Sequence, residues 1–220
     1  MAISTYAELK DRVKDYVLQT GQEVNSDLLD DLTEAMESRI WGVLRVREMQ
    51  SYYTAAYAAG GFDISVFDSG NILEIKSLLV DTSDSTRKPV PPGDEESVRM
   101  WMITTDTNSP KLHGWLAEAD GTAKLAIGPE PTGKTVHVSY WRQFDSMTGT
   151  THAVFAAYPH IWLYGLLAET FLYLRDMDMF RTFEQKLVES ITLANQKSRG
   201  ISDSHKGRAA GPQNKIGSIY

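Results

Sequence analysis

Seventeen residues, Tyr158 to Leu174, read YPHIWLYGLLAETFLYL, and only His160, Glu169 and Thr170 break their apolar or aromatic surface. A helix that is apolar on all sides must be surrounded by protein or by lipid. This run falls short of the roughly 20 residues that cross a bilayer and carries the ionisable Glu169, so it predicts a helix buried within protein. Pro159 suits the first helical position, where its missing N–H would be unpaired in any case, and Arg175 falls at the negative end of the helix dipole. Gly165 offers no side chain on one face and lets a neighbouring helix come close. The rest of the chain must supply that neighbour.

Three further segments carry the helical period. Thr5-Tyr6-Ala7-Glu8 is a capping box, and Leu9, Val13, Tyr16 and Val17 follow at helical spacing until Gly21 can close the helix. Ser26 reads as a second N-cap, with Leu28, Leu32, Met36, Ile40 and Val43 forming one stripe. Asp27, Asp30, Asp31, Glu34 and Glu37 then occupy the exposed side, five acids with no base before Arg39. The plain reading of such a face is a solvated one. Near the other end, Phe180, Phe183, Leu187, Ile191 and Ala194 step by three and four, and Lys197, Arg199 and Gly200 make a basic last turn with a glycine stop.

Between these helical regions the period changes. Residues 51–57, 71–81 and 88–91 read as strands, residues 93–102 as a short helix, and residues 112–119, 123–127 and 134–142 as three more strands, the first two of them joined by the hairpin signal Asp120-Gly121. The fold class is therefore α+β. Two helical hairpins, residues 1–49 and 147–200, form a bundle, a small antiparallel β module spans residues 50–146, and an extended tail covers residues 201–220. The tail has three glycines, a proline, three basic residues against one acid and little that is apolar before Ile216, Ile219 and Tyr220. Alone it cannot bury enough surface to order itself, and a partner chain is the simplest holder.

Composition narrows the chemistry. Without cysteine there is no disulfide, no thiolate nucleophile and no cysteine-bound zinc. The opening residues lack the apolar core of a signal peptide, so synthesis and use in the cytoplasm are expected. A net charge of −7 and a pI near 5.2 argue against a protein whose task is gripping phosphates. The five histidines are scattered, and no metalloprotease pair, nucleophile elbow or phosphate-cradling glycine loop is present. No catalytic, cofactor or metal residues are assigned. Glu169 could be a carboxylic acid of raised pKa, as a glycoside hydrolase needs, or a buried partner of Arg39, Arg45 or Arg175.

The order of an opening TYAELK helix, an acidic second helix running into LRVREM, a β-rich middle, and a YPHIWLYGLLAETFLYLRD helix hairpin with a trailing tail resembles the head-to-tail adaptor, or connector, proteins of tailed bacteriophages, most of all those of short-tailed phages. The resemblance implies a structural protein of the virion neck, made in the host cytoplasm. It implies a homo-oligomeric ring, commonly of twelve copies, docked beneath the portal protein and offering a platform to tail nozzle or fibre proteins, without cofactor or membrane. The tail would grip the portal through Ile201, Lys206, Arg208, Pro212, Lys215, Ile216, Ile219 and Tyr220. Asp27, Asp30, Asp31, Glu34 and Glu37 are the candidates to line a channel through which double-stranded DNA passes without specific binding. The competing readings are a virion-borne peptidoglycan hydrolase using Glu169 and a free-standing helical-bundle interaction protein.

Overall fold

The computed structural model describes residues 3–81, 86–103, 110–119 and 121–206, with side chains as far as residue 199. In chain order the elements are α1 (Tyr6–Leu18), α2 (Ser26–Val43), β1 (Gln50–Ala56), β2 (Phe62–Asp63), β3 (Ile72–Asp81), β4 (Arg87–Pro89), α3 (Glu95–Met102), β5 (Leu112–Ala117), β6 (Ala123–Gly128), β7 (Thr135–Arg142), α4 (Ala153–Ala157), α5 (Pro159–Tyr173) and α6 (Met177–Lys206). The class is α+β, as the sequence predicts. The chain divides into two compact units, residues 1–48 with 145–220 and residues 49–144.

In the helical unit α5 is the central element, packed against α1, α2, α4 and α6. Its apolar sequence buries Ile161, Trp162 and every residue from Gly165 to Phe171. Gly165 is where α2 approaches: a Cβ there would stand 2.7 Å from Met36 Sδ and 2.8 Å from Met36 Cγ. Pro159 opens the helix and Arg175 closes it from the left-handed region at φ +61°. The Arg175 N–H reaches Leu172 O and the Asp176 N–H reaches Phe171 O, so two carbonyls that the helix leaves open are satisfied in a Schellman arrangement.

The other helices follow their caps and stripes with three corrections. The capping box of α1 forms, Thr5 accepting the Glu8 N–H, and Leu9, Val13 and Val17 are buried. The cap of α2 is Asn25, whose Oδ1 accepts the Leu28 N–H at 2.8 Å, and not Ser26. The buried stripe of α2 is Leu29, Thr33, Met36, Glu37, Ile40 and Trp41; Leu28 and Leu32 flank it and Val43 is exposed. Met36 and Ile40 are buried as expected, while at Leu28 and Leu32 the expected stripe falls one residue, about 100° of helix, before the buried Leu29 and Thr33. Finally, α6 passes Gly200 and runs to Lys206, because a glycine inside a helix costs only about 1 kcal/mol and does not by itself end one. A further short helix, α4, precedes α5 and is capped by His152.

The sheet unit contains a four-stranded antiparallel sheet in the order β1-β7-β3-β4 and a three-stranded one in the order β2-β6-β5. One core takes residues from both: Leu78, Val80, Val136, Val138 and Tyr140 from the first, Phe62, Leu125 and Ile127 from the second. Phe67 sits in its middle, meeting Tyr53, Phe62, Trp115 and Tyr140 edge-on at centroid distances of 5.1 to 6.4 Å. Helix α3 lies against β5 and β6, where Gly128 allows the backbone at Val98 and Met102 to come close. Strand β2, two residues long, carried no legible alternation.

Candidate functional site: exposed surfaces and the buried node of the helical unit

The five acids of α2 do not share one environment. Asp27, Asp31 and Glu34 are exposed. Asp30 is half-buried and accepts hydrogen bonds from the Tyr6 hydroxyl at 2.6 Å and from Lys10 Nζ at 2.9 Å, which hold its carboxyl below the usual range. The Tyr6 phenol is in turn pushed well up, by burial first and then by Asp30. Glu37 leaves the exposed face altogether, with 3% of its surface accessible.

Glu37 is instead a node that joins separated parts of the helical unit. Its Oε1 accepts the Trp162 Nε1–H of α5 at 3.0 Å, and its carboxylate accepts the Met147 N–H at 3.2 and 3.3 Å. His152 packs against both Trp41 and Trp162, which also touch each other, with Nε2 at 3.8 Å from Glu37 Oε1. Its Nδ1 accepts the Phe155 N–H at 3.1 Å, so the ring proton belongs on Nε2, facing the carboxylate. Burial alone would raise the Glu37 pKa. The polar groups around it, His152 and the hydrogen-bonding Trp162, Ser146 and Met147 backbone, outweigh that and hold it low. The signal available in the sequence was phase: Glu37 falls four residues after Thr33 and three before Ile40, both buried.

Glu169 pairs with Arg39, one of the three arginines its sequence context offered, and Arg39 also reaches Glu184 at 2.6 Å. The second carboxylate near Glu169 comes from α6, some fifteen residues on, which spacing alone did not reveal. Through Arg39 the arrangement ties α2, α5 and α6 together.

Several large apolar side chains in the last turns of α1 and α5 and the first turn of α6 are exposed. Tyr16 of α1 touches the Phe183 ring edge-on at 6.0 Å, and Phe183 stacks on Phe171 at 5.6 Å. Tyr16, Leu18, Leu172, Tyr173 and Met177 remain exposed, Leu18 at 61% and Tyr173 at 58%. An open groove is lined by Arg12, Asp15, Tyr16, Leu18 and Gln19. The exposure of these residues was not legible in the sequence, because apolar residues at helix ends read as core.

Of the expected clamp residues, Ile201 and Lys206 lie on α6 and not in an extended tail. Arg208, Pro212, Lys215, Ile216, Ile219 and Tyr220 lie outside the described residues. Among the described residues no group of three or more His, Asp or Glu could hold a metal ion, and no helix is long and apolar enough to cross a membrane. Comparison with curated proteins finds no match. The model of one family, described as the SU10 adaptor protein, matches residues 4–212, nearly the whole sequence. The chain belongs to the SU10 adaptor protein family and is a structural adaptor of a phage virion.

Proposed function

We propose that copies of this chain, commonly twelve, form a ring beneath the portal protein of a short-tailed phage, joining the filled head to the tail nozzle or fibre proteins. The observation that carries the reading is the apolar surface at Tyr16, Leu18, Leu172, Tyr173 and Met177. Large apolar side chains left exposed on a folded unit suit surfaces that assembly covers. The exposed acids Asp27, Asp31 and Glu34 suit a channel wall, because a negative wall repels DNA phosphates and lets the genome slide. The portal contact falls to residues 201–220, with Lys206, Arg208 and Lys215 pairing with acids of the portal and Ile201, Ile216, Ile219 and Tyr220 filling apolar pockets while Pro212 bends the chain.

Native mass measurement of the full chain mixed with purified portal tests this. A closed ring of adaptor on the portal is the expected species. A chain that stays monomeric and unbound at assembly concentrations overturns the reading. The hydrolase alternative is tested separately with Glu169→Gln: loss of a lytic activity present in the parent, with folding and assembly intact, would establish it.

A further inference from the structure

The two edges of the four-stranded sheet are treated differently. Strand β4 is short, and the bond from the Val90 N–H to Leu78 O fixes which of its groups face outward. By alternation the outward positions are Arg87 and Pro89, one a cation and the other without an N–H to donate. That edge is closed to a further strand. The opposite edge, β1, pairs with β7 over seven consecutive residues from Gln50↔Trp141 to Ala56↔Thr135, without a bulge. Its sequence, QSYYTAA, has no charge, no proline and no glycine. The Tyr57 N–H bonds to Lys134 O, and alternation from there turns the N–H groups of Ser51, Tyr53 and Ala55 toward β7 and those of Tyr52, Thr54 and Ala56 outward. Among the described residues no backbone bond reaches those outward groups.

The core beneath is also left open on this side. Tyr53 and Ala55 point into the aromatic core yet are only partly buried, while Tyr52 on the other face is 73% exposed. We infer that β1 is a strand-addition site that takes an extended, uncharged segment of another virion protein. The occupant would place small or β-branched apolar residues beside Tyr53 and Ala55 and hydroxyl or small polar residues beside Tyr52 and Thr54. A charged strand would set its charges in rows where β1 offers no counter-charge.

A second copy of this chain is the poorer fit. Ring neighbours meet through unlike surfaces, and β1 against β1 closes a two-fold pair instead. Of the other edges, β4 is blocked as described, β2 is two residues long, and β5 already holds the 91–93 segment through His113. This leaves a segment from a different protein of the particle. The inference rests on the adaptor reading in taking the virion as the place to look and in taking copies of the chain to meet as ring neighbours.

The test uses the full chain in assembled particles. With benzoylphenylalanine in place of Tyr52, irradiation should join the adaptor to a different virion protein; capture of a second copy, or of nothing, overturns the inference. Amide exchange at Tyr52, Thr54 and Ala56 should slow by about a hundredfold or more between the free chain and the particle, and equal exchange overturns it. Thr54→Pro, which copies onto β1 the device that Pro89 supplies on β4, should leave the β7 ladder intact and cut incorporation of the cross-linked protein at least about tenfold. Particles with an unchanged protein complement overturn the proposal. Should that variant not fold, cross-linking and exchange decide alone. None of these readouts depends on where the ring sits or how many copies it has.

Discussion

Trp162 donates its indole N–H to Glu37 at 3.0 Å, so the most apolar helix of the chain is anchored by a buried carboxylate from α2. The same carboxylate accepts the Met147 N–H, which ties down the segment leading from the sheet unit's last strand toward α4. A charge in this position is tolerated because the Trp162 and Met147 N–H groups both donate to it.

Glu37→Ala should therefore cost roughly 3 kcal/mol, since it strands the Trp162 and Met147 N–H groups as well as opening a hole. Glu37→Gln should cost less, as one oxygen still accepts from Trp162. The pH dependence has a definite sign. The folded pKa lies below the unfolded one, so the stabilisation is present above the ordinary carboxylate range and is lost as pH falls through the folded value. Denaturant unfolding of parent and Glu37→Gln at pH 7 and pH 4 checks this: the two should converge at the lower pH. Parallel curves would remove the carboxylate from the account.

In the sheet unit the window is higher. His113 is buried, its Nδ1–H donates to Val90 O at 2.8 Å, and burial lowers its pKa. The unfolded chain takes up a proton near pH 6.5 while the folded one resists it, so stability should fall as pH drops below about 6.5. His113→Gln, which retains a donor for Val90, should flatten that part of the profile. An unchanged slope in the variant would assign the loss to another group.

How far the sequence could be read depends on how local the cause was. The buried helix at 158–174, the α1 capping box and the hairpin strands 112–119 and 123–127 follow from neighbours within a few residues, and each has its counterpart in the structure. The Glu37 node does not: its donors lie more than a hundred residues away, and the stripe through Leu28 and Leu32 differs from the true one by one helical step. The pairing of Glu169 was open among three arginines, and only the packing of α2 against α5 selects Arg39. Edges are non-local in the same way, because Arg87 and Pro89 become guards only once β4 is known to lie outermost.

Two backbone features make opposite predictions. A side chain at Gly165 must displace Met36, which is itself 1% exposed, so Gly165→Leu should cost roughly 1 to 3 kcal/mol and Met36→Ala should restore part of it. Arg175 holds a left-handed conformation that a side chain resists, so Arg175→Gly should stabilise the unit by about 0.5 to 1 kcal/mol. Thermal melts read both, and additivity of the Gly165 and Met36 changes would deny the close approach of α2 to α5.

The last prediction concerns residues 207–220, beyond the end of α6. A segment of this composition, GRAAGPQNKIGSIY, has few apolar groups with which to fold on its own. Ordering it on a partner costs on the order of 1 to 2 kcal/mol of backbone entropy per residue, so the partner must return contact along most of its length. Under the portal-clamp proposal its two isoleucines and terminal tyrosine supply the apolar anchors, and Arg208 and Lys215 the charge pairing. Deleting residues 207–220 should leave far-UV circular dichroism and melting unchanged, because nothing removed belongs to the described core. Loading of the truncated chain onto portal-bearing heads should fall severely, and raising the salt concentration should weaken the full-length chain's loading through the same two charges. Equal loading of truncated and full chains would move the portal contact onto the folded units, where the Tyr16, Leu18, Leu172, Tyr173 and Met177 surface is the next candidate.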